Sequence, residues 1–529
     1  MSGHNYRPGY HFTPGRNWMN DPNGLVYYEG VYHLYFQYNP QANVWGNMSW
    51  GHASSPDLVH WTEHPVAIPQ GEGEEVFSGS VVVDHQNSSG FGVGDDPPLV
   101  AIYTSAYHDG RQAQSLAFST DAGMTWTKYA GNPVLDRAST AFRDPKVSWY
   151  PTADGSGYWV MVAVEADARL LVFYRSDDLK RWNHLSTFGP VDSAAGLWEC
   201  PDLFVLPVDG DLDRTRWVLV MSVNPGGVAG GSATGYFLGD FDGVTFTASW
   251  PDAFRRFDWG RDLYAAVSFD NAPAGRRILI GWMSNWDYAD CVPTSPWRGS
   301  MSLPREISLA TIEGAVALVQ RPPAELCSLD QVTDRLSIEP FDLDGVRAVQ
   351  GCSRYRVDVT FEPVDANDFG LDLLVGDAQV TRLRYNTQTG RLSLNRTRSG
   401  QTDFRASFAS IDGAPVPLRD GALHLQIFVD RTSVEVFAQG GEVCLTEQVF
   451  AADNSTGLAI GSLGGSTRIK NFEWMPLREA QDPSLSIPHD FIIMTGDVRD
   501  QERDLVESSA EVSRSVGVFC ARVPNRPAR

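Results

Sequence analysis

No stretch of this chain approaches about 18 uninterrupted apolar residues, so no membrane-spanning helix is encoded. Basic residues are in short supply: 42 Lys and Arg stand against 65 Asp and Glu, a formal charge of −23. Nucleic acid and anionic membrane surfaces are recognised by clustered cations that neutralise phosphate, so both are excluded as partners and a neutral substrate fits better. Cysteine is also scarce. Cys200, Cys291, Cys327, Cys352, Cys444 and Cys520 lie far apart, with no C-x-x-C pair, and are expected to be mostly free and buried. The histidines His11, His33, His52 and His60 have no metal-ligand spacing, so neither a metal nor a cofactor is expected. Met1 runs almost directly into the first motif without a charged segment and apolar core of the secretory type. Two expectations follow: a cytoplasmic protein, or an extracellular one whose chain has been trimmed.

Helical periodicity is hard to find in the first 300 residues. Runs such as "GVYHLYFQYN", "PPLVAIYTSA", "GYWVMVAVEA", "RWVLVMSVNP" and "RRILIGWMSN", separated by Gly, Pro, Asn and Asp, read as strands. Between them one turn recurs: "SPDLVHW", "STDAGMTW", "SDDLKRW" and "GDFDGVTF". Its aromatic residue falls at 61, 126, 182 and 246, at spacings of 65, 56 and 64. A unit of that length made only of strands holds about four of them, which is a propeller blade. A unit around "RRILIGWMSNWDYA" makes the fifth. The aspartates of these turns read as devices that satisfy local backbone N–H groups. Alternating strands with hairpin turns from about 340 to 476 fit a β-sandwich. The expected organisation is therefore all-β: a five-bladed propeller over residues 1–315, a linker over 316–339, a β-sandwich over 340–478, and a peripheral or partly disordered tail over 479–529.

A propeller gathers its inner strands around one axis, so residues at their ends converge. Three carboxylates stand out there. Asp21 in "WMNDPNG" is placed in a turn before the first strand, Asp144 in "FRDPKV" follows Arg143 and precedes Pro145, and Glu199 in "LWECPDLF" adjoins Trp198 and Cys200. Each context combines a carboxylate, a nearby Pro and a following apolar strand, in three different repeat units. Two carboxyls about 5 Å apart across a sugar bond make a retaining glycosidase, one as nucleophile and one as acid/base. The nucleophile must be ionised and the acid must hold its proton. Asp21, amid Asn and backbone amides, suits the first role; Glu199, beside Trp198 and two aspartates, suits the second. The 16 Trp residues accord with a sugar cleft, where flat apolar rings with a polar edge are favoured.

Taken in order, "WMNDPNG", "FSGS", "FRDPKV", "WECPDLF" and "DRTSVEVF" resemble glycoside hydrolase family 32, the β-fructofuranosidases, over residues 6 to about 476. The resemblance implies a five-bladed propeller followed by a β-sandwich. It implies Asp21 as the nucleophile that forms a fructosyl-enzyme, Glu199 as the acid/base, and Asp144 as the stabiliser of the oxocarbenium-like transition state, with Arg143 tuning the acid. Asn20, Gln37, Trp45, Phe77 and Ser78 correspond to residues that shape the fructosyl pocket, and Asp262, Tyr264 and Trp286 to its far wall. Asp430, Arg431 and Glu435 of "DRTSVEVF" are expected to be structural. "WMSNWDYADCVPTSPWRGSMSLPREI" is similar to the segment of exo-acting inulinases and levanases, so hydrolysis of terminal fructosyl residues of inulin, levan and sucrose is the expected activity. The alternatives are a sucrose-preferring, transfructosylating enzyme and a catalytically silent sugar-binding propeller. The second is disfavoured by the intact Asp21, Asp144 and Glu199. A sialidase is disfavoured because it would want several arginines for the substrate carboxylate and a Tyr nucleophile.

Overall fold

In the computed structural model, residues 6–249, 254–349 and 351–480 are described. The expected tail lies, except for residues 479 and 480, outside them, as does Cys520. The apolar runs form antiparallel strands that group in fours. Blade 1 comprises Asn17–Tyr28, Val31–Asn39, Ser49–Ser55 and Thr62–Ile68, each paired with the next. Blade 2 comprises Glu74–Val83, Leu99–Tyr107, Gln112–Ser119 and the short Thr127–Lys128. Blade 3 runs through Phe142–Pro151, Gly157–Glu165, Leu170–Ser176 and Asn183–Phe188. Blade 4 runs through Leu197–Val208, Asp211–Asn224, Ala233–Phe241 and Phe246–Ala248. Blade 5 holds Tyr264–Ser268, Ile278–Trp282, Arg305–Ile312 and Ala315–Arg321. The last of these strands carries the blade past residue 315 to 321, into the stretch expected to be linker; two short 3-10 turns, Ala324–Leu329 and Val332–Asp334, follow it.

The first strand of each blade touches the first strand of the next, and Tyr264–Ser268 returns to Asn17–Tyr28, so the five blades close into a ring. The recurrent turns do what their sequence predicts. Asp57 accepts the N–H groups of Val59 and His60, Asp178 those of Lys180 and Arg181, Asp242 those of Val244 and Thr245, and Asp121 that of Thr125. Trp61, Trp126 and Trp182 each donate the indole N–H to the carbonyl three residues back. His52 hydrogen-bonds within blade 1, its Nε2 lying 3.0 Å from His33 Nδ1.

The C-terminal strands alternate buried and half-exposed residues, as in Tyr355–Pro363, because one face meets a core and the other meets solvent. The 20-residue strand Gly457–Pro476 pairs first with Asp368–Val375 and then with Tyr355–Pro363, so a single strand serves two halves that close over a shared core of Val357, Phe369, Leu392, Ile427, Val436 and Phe472. Buried charges tie this sandwich to the propeller. His11 lies between Asp430 and Glu435, and Arg305 of blade 5 bonds Glu435, Asp258 and Thr446. Arg431, which bonds the Arg7 carbonyl and Glu479, sits beside this junction, so the "DRTSVEVF" segment is structural as expected. Among the described residues, Cys200 and Cys444 are buried free thiols, whereas Cys291 and Cys352 are half-buried and Cys327 is exposed.

Candidate active site

All five inner strands lose ladder register near their N-terminal ends: between Met19 and Pro22, Phe77 and Gly79, Arg143 and Lys146, Glu199 and Asp202, and Tyr264 and Val267. A bulge inserts an unpaired residue and re-aims its side chain, here toward the axis of the ring. Pro145 and Pro201 fall inside these breaks, where a missing N–H costs no ladder bond, and Pro22 closes the first of them. Asp144, Cys200 and Ala265 take φ of 61°, 47° and 54°, a region that non-glycine residues enter at a cost. "WMNDPNG" is therefore not a turn before the first strand but lies within Asn17–Tyr28, interrupted at Met19/Pro22 and again at Asn23/Val26. Its turn-forming residues serve bulges, which accept the same Pro and Gly chemistry.

The bulged residues meet around a cavity of about 380 Å³, lined by Asn20, Asp21, Gln37, Trp45, Phe77, Ser78, Gln112, Arg143, Asp144, Glu199 and Trp286. Ser78 Oγ donates to Asp21 Oδ2 at 2.8 Å, and the Cys200 thiol lies 3.5 Å from the same oxygen. Asp21 Oδ1 has no hydrogen-bond partner among the described residues. Asp144 is fixed from its backbone, its N–H donating to Thr104 Oγ1 at 3.0 Å, while its Oδ2 accepts the Cys200 N–H at 3.0 Å. Arg143 reaches over to Glu199 Oε1 at 2.9 Å through Nη2, and Tyr264 donates its hydroxyl to Glu199 Oε2. Trp18 donates to Asn20 Oδ1 at 2.8 Å, and Gln37 donates to the Val76 carbonyl at 3.1 Å. Trp45, about half-exposed, meets Phe77 edge-on at 6.0 Å, and Trp286 stacks on Trp18 at 5.9 Å.

Three carboxyls share one guanidinium here, and Asp21 and Asp144 are both held above the usual carboxylate range. Burial foremost, and then the Glu199 charge, pushes Asp21 up to about 6, against hydrogen bonding led by Ser78. Burial likewise pushes Asp144 up, with Arg143 opposing it and Glu199 and Asp21 adding to it. Burial and the three carboxyls push the Cys200 thiol well up, so it stays protonated.

Ten of the twelve site residues anticipated in the sequence line this cavity. Asp262 does not. It is fully buried away from the cavity, where Tyr288 Oη donates to it at 2.6 Å, Arg396 Nη1 at 2.6 Å and the Gln448 N–H at 2.8 Å. A carboxylate in "WGRDLYAA" looks the same in sequence whether it faces a sugar or a guanidinium from another domain. Tyr264 is not an exposed wall either: it is buried behind Glu199. Gln112 was not anticipated. It opens the third strand of its blade, away from the inner-strand motifs, and its Oε1 has no hydrogen-bond partner among the described residues. Cys200, whose N–H bonds the Asp144 carboxylate, and Thr104, whose hydroxyl accepts the Asp144 N–H, carried no signal beyond their proximity or polarity.

A ring of bulged strands that presents carboxylates, an arginine and aromatic faces to one small cavity is the site of a glycoside hydrolase. The family model "Glycosyl hydrolases family 32 N-terminal domain" matches residues 11–322, and "Glycosyl hydrolases family 32 C terminal" matches 325–476. The levanase of Bacillus subtilis (strain 168) is 45% identical over 485 residues, covering 90% of this chain and 71% of its own. The extracellular exo-inulinase of Aspergillus ficuum is 42% identical, covering 87% of this chain and 93% of its own. The crystal structure of the exo-inulinase from Aspergillus awamori superposes with a TM-score of 0.85 at 39% identity, covering 90% of this chain and 99% of that one. The chain belongs to glycoside hydrolase family 32.

Proposed function

We propose that this enzyme is a retaining exo-acting β-fructosidase that removes terminal β-D-fructofuranosyl residues from fructans such as inulin and levan, and from sucrose. The observation that carries the reading is the convergence of Asp21, Asp144 and Glu199 from three blades on one cavity, with Asp21 Oδ1 free of partners among the described residues. In the first step an Asp21 oxygen attacks the anomeric C2, the C2–O bond to the leaving group breaks, and Glu199 gives its proton to the departing oxygen. In the second, Glu199 takes a proton from water, the water oxygen attacks C2, and the Asp21 carboxylate leaves with its electron pair. Asp144 holds ring hydroxyls as positive charge develops on the sugar, and Arg143 orients Glu199 through its hydrogen bonds. Asn20, Gln37 and Ser78 offer polar contacts, and Trp45, Phe77 and Trp286 offer apolar faces to the furanose ring. Likeness to proteins named levanase and exo-inulinase supports fructans as the substrate class.

The test is product analysis on sucrose, inulin and levan side by side. Fructose alone from the first minutes is expected. A ladder of oligomers overturns exo action, and larger products from concentrated sucrose overturn hydrolysis as the main outcome. Asp21→Ala and Glu199→Ala should each lower turnover by several orders of magnitude with the fold retained; near-normal fructose release by either refutes the assigned roles.

A further inference from the structure

Trp286, like Trp45, stands outside the strands of the blades, and the turn that carries Trp286 is held from every side. Residues 285–289 close on themselves, with the N–H groups of Tyr288 and Ala289 both donating to the Asn285 carbonyl. Asn285 is buried and bonds the carbonyls of Gly230, Ser232 and Arg261 and the N–H groups of Ser232 and Asp287. Asp287 accepts from Arg261 Nη2 at 2.5 Å. Tyr288 is fully buried: its hydroxyl donates to Asp262 Oδ1 at 2.6 Å and accepts from Arg396 Nη2 at 2.8 Å, and its ring lies against the guanidinium of Arg396 at 5.3 Å. Arg396 belongs to the sandwich strand Arg391–Arg398 and is itself fully buried, bonding Asp262, Glu447 and the carbonyls of Phe408 and Gln448. Within this turn Asn285, Asp287 and Tyr288 spend their side chains on anchoring, and Trp286 turns its own to the cavity.

We infer that the Arg396–Tyr288–Asp262 cluster is a positioning device for substrate binding, by which the C-terminal sandwich sets the Trp286 wall of the propeller's pocket. Tyr288 is two residues from Trp286 in a closed turn, so a shift of its ring moves the indole. Asp262 thus acts on the pocket through Tyr288 rather than as its wall. Among the described residues the hydrogen bonds to Asp21, Asp144 and Glu199 come from the propeller, so the influence of the sandwich falls on how the terminal sugar is held and not on bond cleavage. A buried guanidinium bound to two carboxylates and a phenol in fixed geometry suits that task, because losing one partner leaves a charge uncompensated and the arrangement has a single low-energy state.

The inference rests on the β-fructosidase reading, and the experiment separates the two. Tyr288→Phe keeps the buried ring and deletes only the hydroxyl. With sucrose as substrate it should raise KM about three- to tenfold while kcat stays within about twofold and the acid limb of the pH profile is unmoved. In a Trp286→Ala background, Tyr288→Phe should raise KM no further, since the wall it positions is gone. An unchanged KM with a lowered kcat, or an equal KM increase in both backgrounds, overturns the positioning role while leaving the β-fructosidase reading intact. Absence of fructose release from sucrose and inulin by the unmodified protein overturns both. If Tyr288→Phe lowers thermal stability too far to assay, Asp262→Asn provides the same comparison.

Discussion

His11 donates Nδ1–H to Asp430 Oδ2 at 2.9 Å, and its opposite nitrogen lies 3.0 Å from Glu435 Oε1. Both acceptors are carboxylates, so both ring nitrogens must carry hydrogen and the imidazole is a cation in the folded protein. Burial opposes that charge, but the hydrogen bonds and charges of Asp430 and Glu435 outweigh it and raise the pKa from 6.5 to about 9. The stabilisation is full below pH 6.5 and is lost as pH rises through 9. Thermal unfolding followed from pH 6 to 10 should show a fall in Tm approaching pH 9. His11→Gln should lower stability by about 3 kcal/mol at pH 6, because it leaves buried carboxylates uncompensated, and should flatten that part of the profile. An unaltered alkaline fall in the variant refutes the assignment.

Asp21 and Asp144 lean the other way. Their folded carboxyls bind protons more tightly than unfolded ones, so ionising them costs the native state. The cost is absent below about pH 4 and grows as pH rises through 6. Asp21→Asn should therefore raise Tm by roughly 1–3 °C at pH 7.5, while abolishing turnover, and the advantage should vanish near pH 4. Calorimetry at the two pH values checks it; a variant no more stable at pH 7.5 would mean the three carboxyls do not strain one another.

How much of this was legible in the chain follows from the range of each signal. The turn "S-x-D" with its Trp is local, so the repeat and the blade count could be read directly. Asp21, Asp144 and Glu199 were legible because each sits in a bulge whose Pro leaves a mark in the sequence. The same mark was misread in "NDPNG", because Pro and Gly serve a turn and a bulge alike, and only pairing with Val31–Asn39 tells them apart. Asp262 and Arg396 are 134 positions apart and bond only because two domains pack, which no local pattern reports. Gln112 reaches the cavity from a third strand, whereas the motifs mark first strands.

The Ser78 hydroxyl is, among the described residues, the nearest donor to Asp21, at 2.8 Å on Oδ2, and works against the burial that raises its pKa. Ser78→Ala should push Asp21 further up. If Asp21 is the nucleophile, as proposed, it must be ionised, so the acid limb of kcat/KM should move from about pH 6 to higher pH by several tenths of a unit or more, with a two- to tenfold loss of kcat/KM at pH 6 and a smaller one at pH 8. A uniform loss across the whole range would show that Ser78 contacts substrate without tuning Asp21.

Tyr264 and Arg143 divide the two oxygens of Glu199 between them, the phenol on Oε2 and the guanidinium on Oε1. In the proposed mechanism Glu199 turns one oxygen to the leaving group, then the same oxygen to water, so its carboxyl plane has to be fixed without being consumed. Two donors on opposite oxygens fix that plane. Tyr264 is buried among Trp282 and the inner strands, so Tyr264→Phe deletes one donor without opening a cavity. The carboxyl then rotates about a single remaining anchor. Turnover of sucrose should fall about tenfold with KM within about twofold, because ground-state sugar contacts lie on other residues and only proton transfer depends on the plane. An aryl or other activated fructoside, whose leaving group needs little protonation, should lose far less in the first step. Equal losses on both substrates would locate the effect of Tyr264 in water activation or in the pocket's shape instead of in protonation of the leaving oxygen.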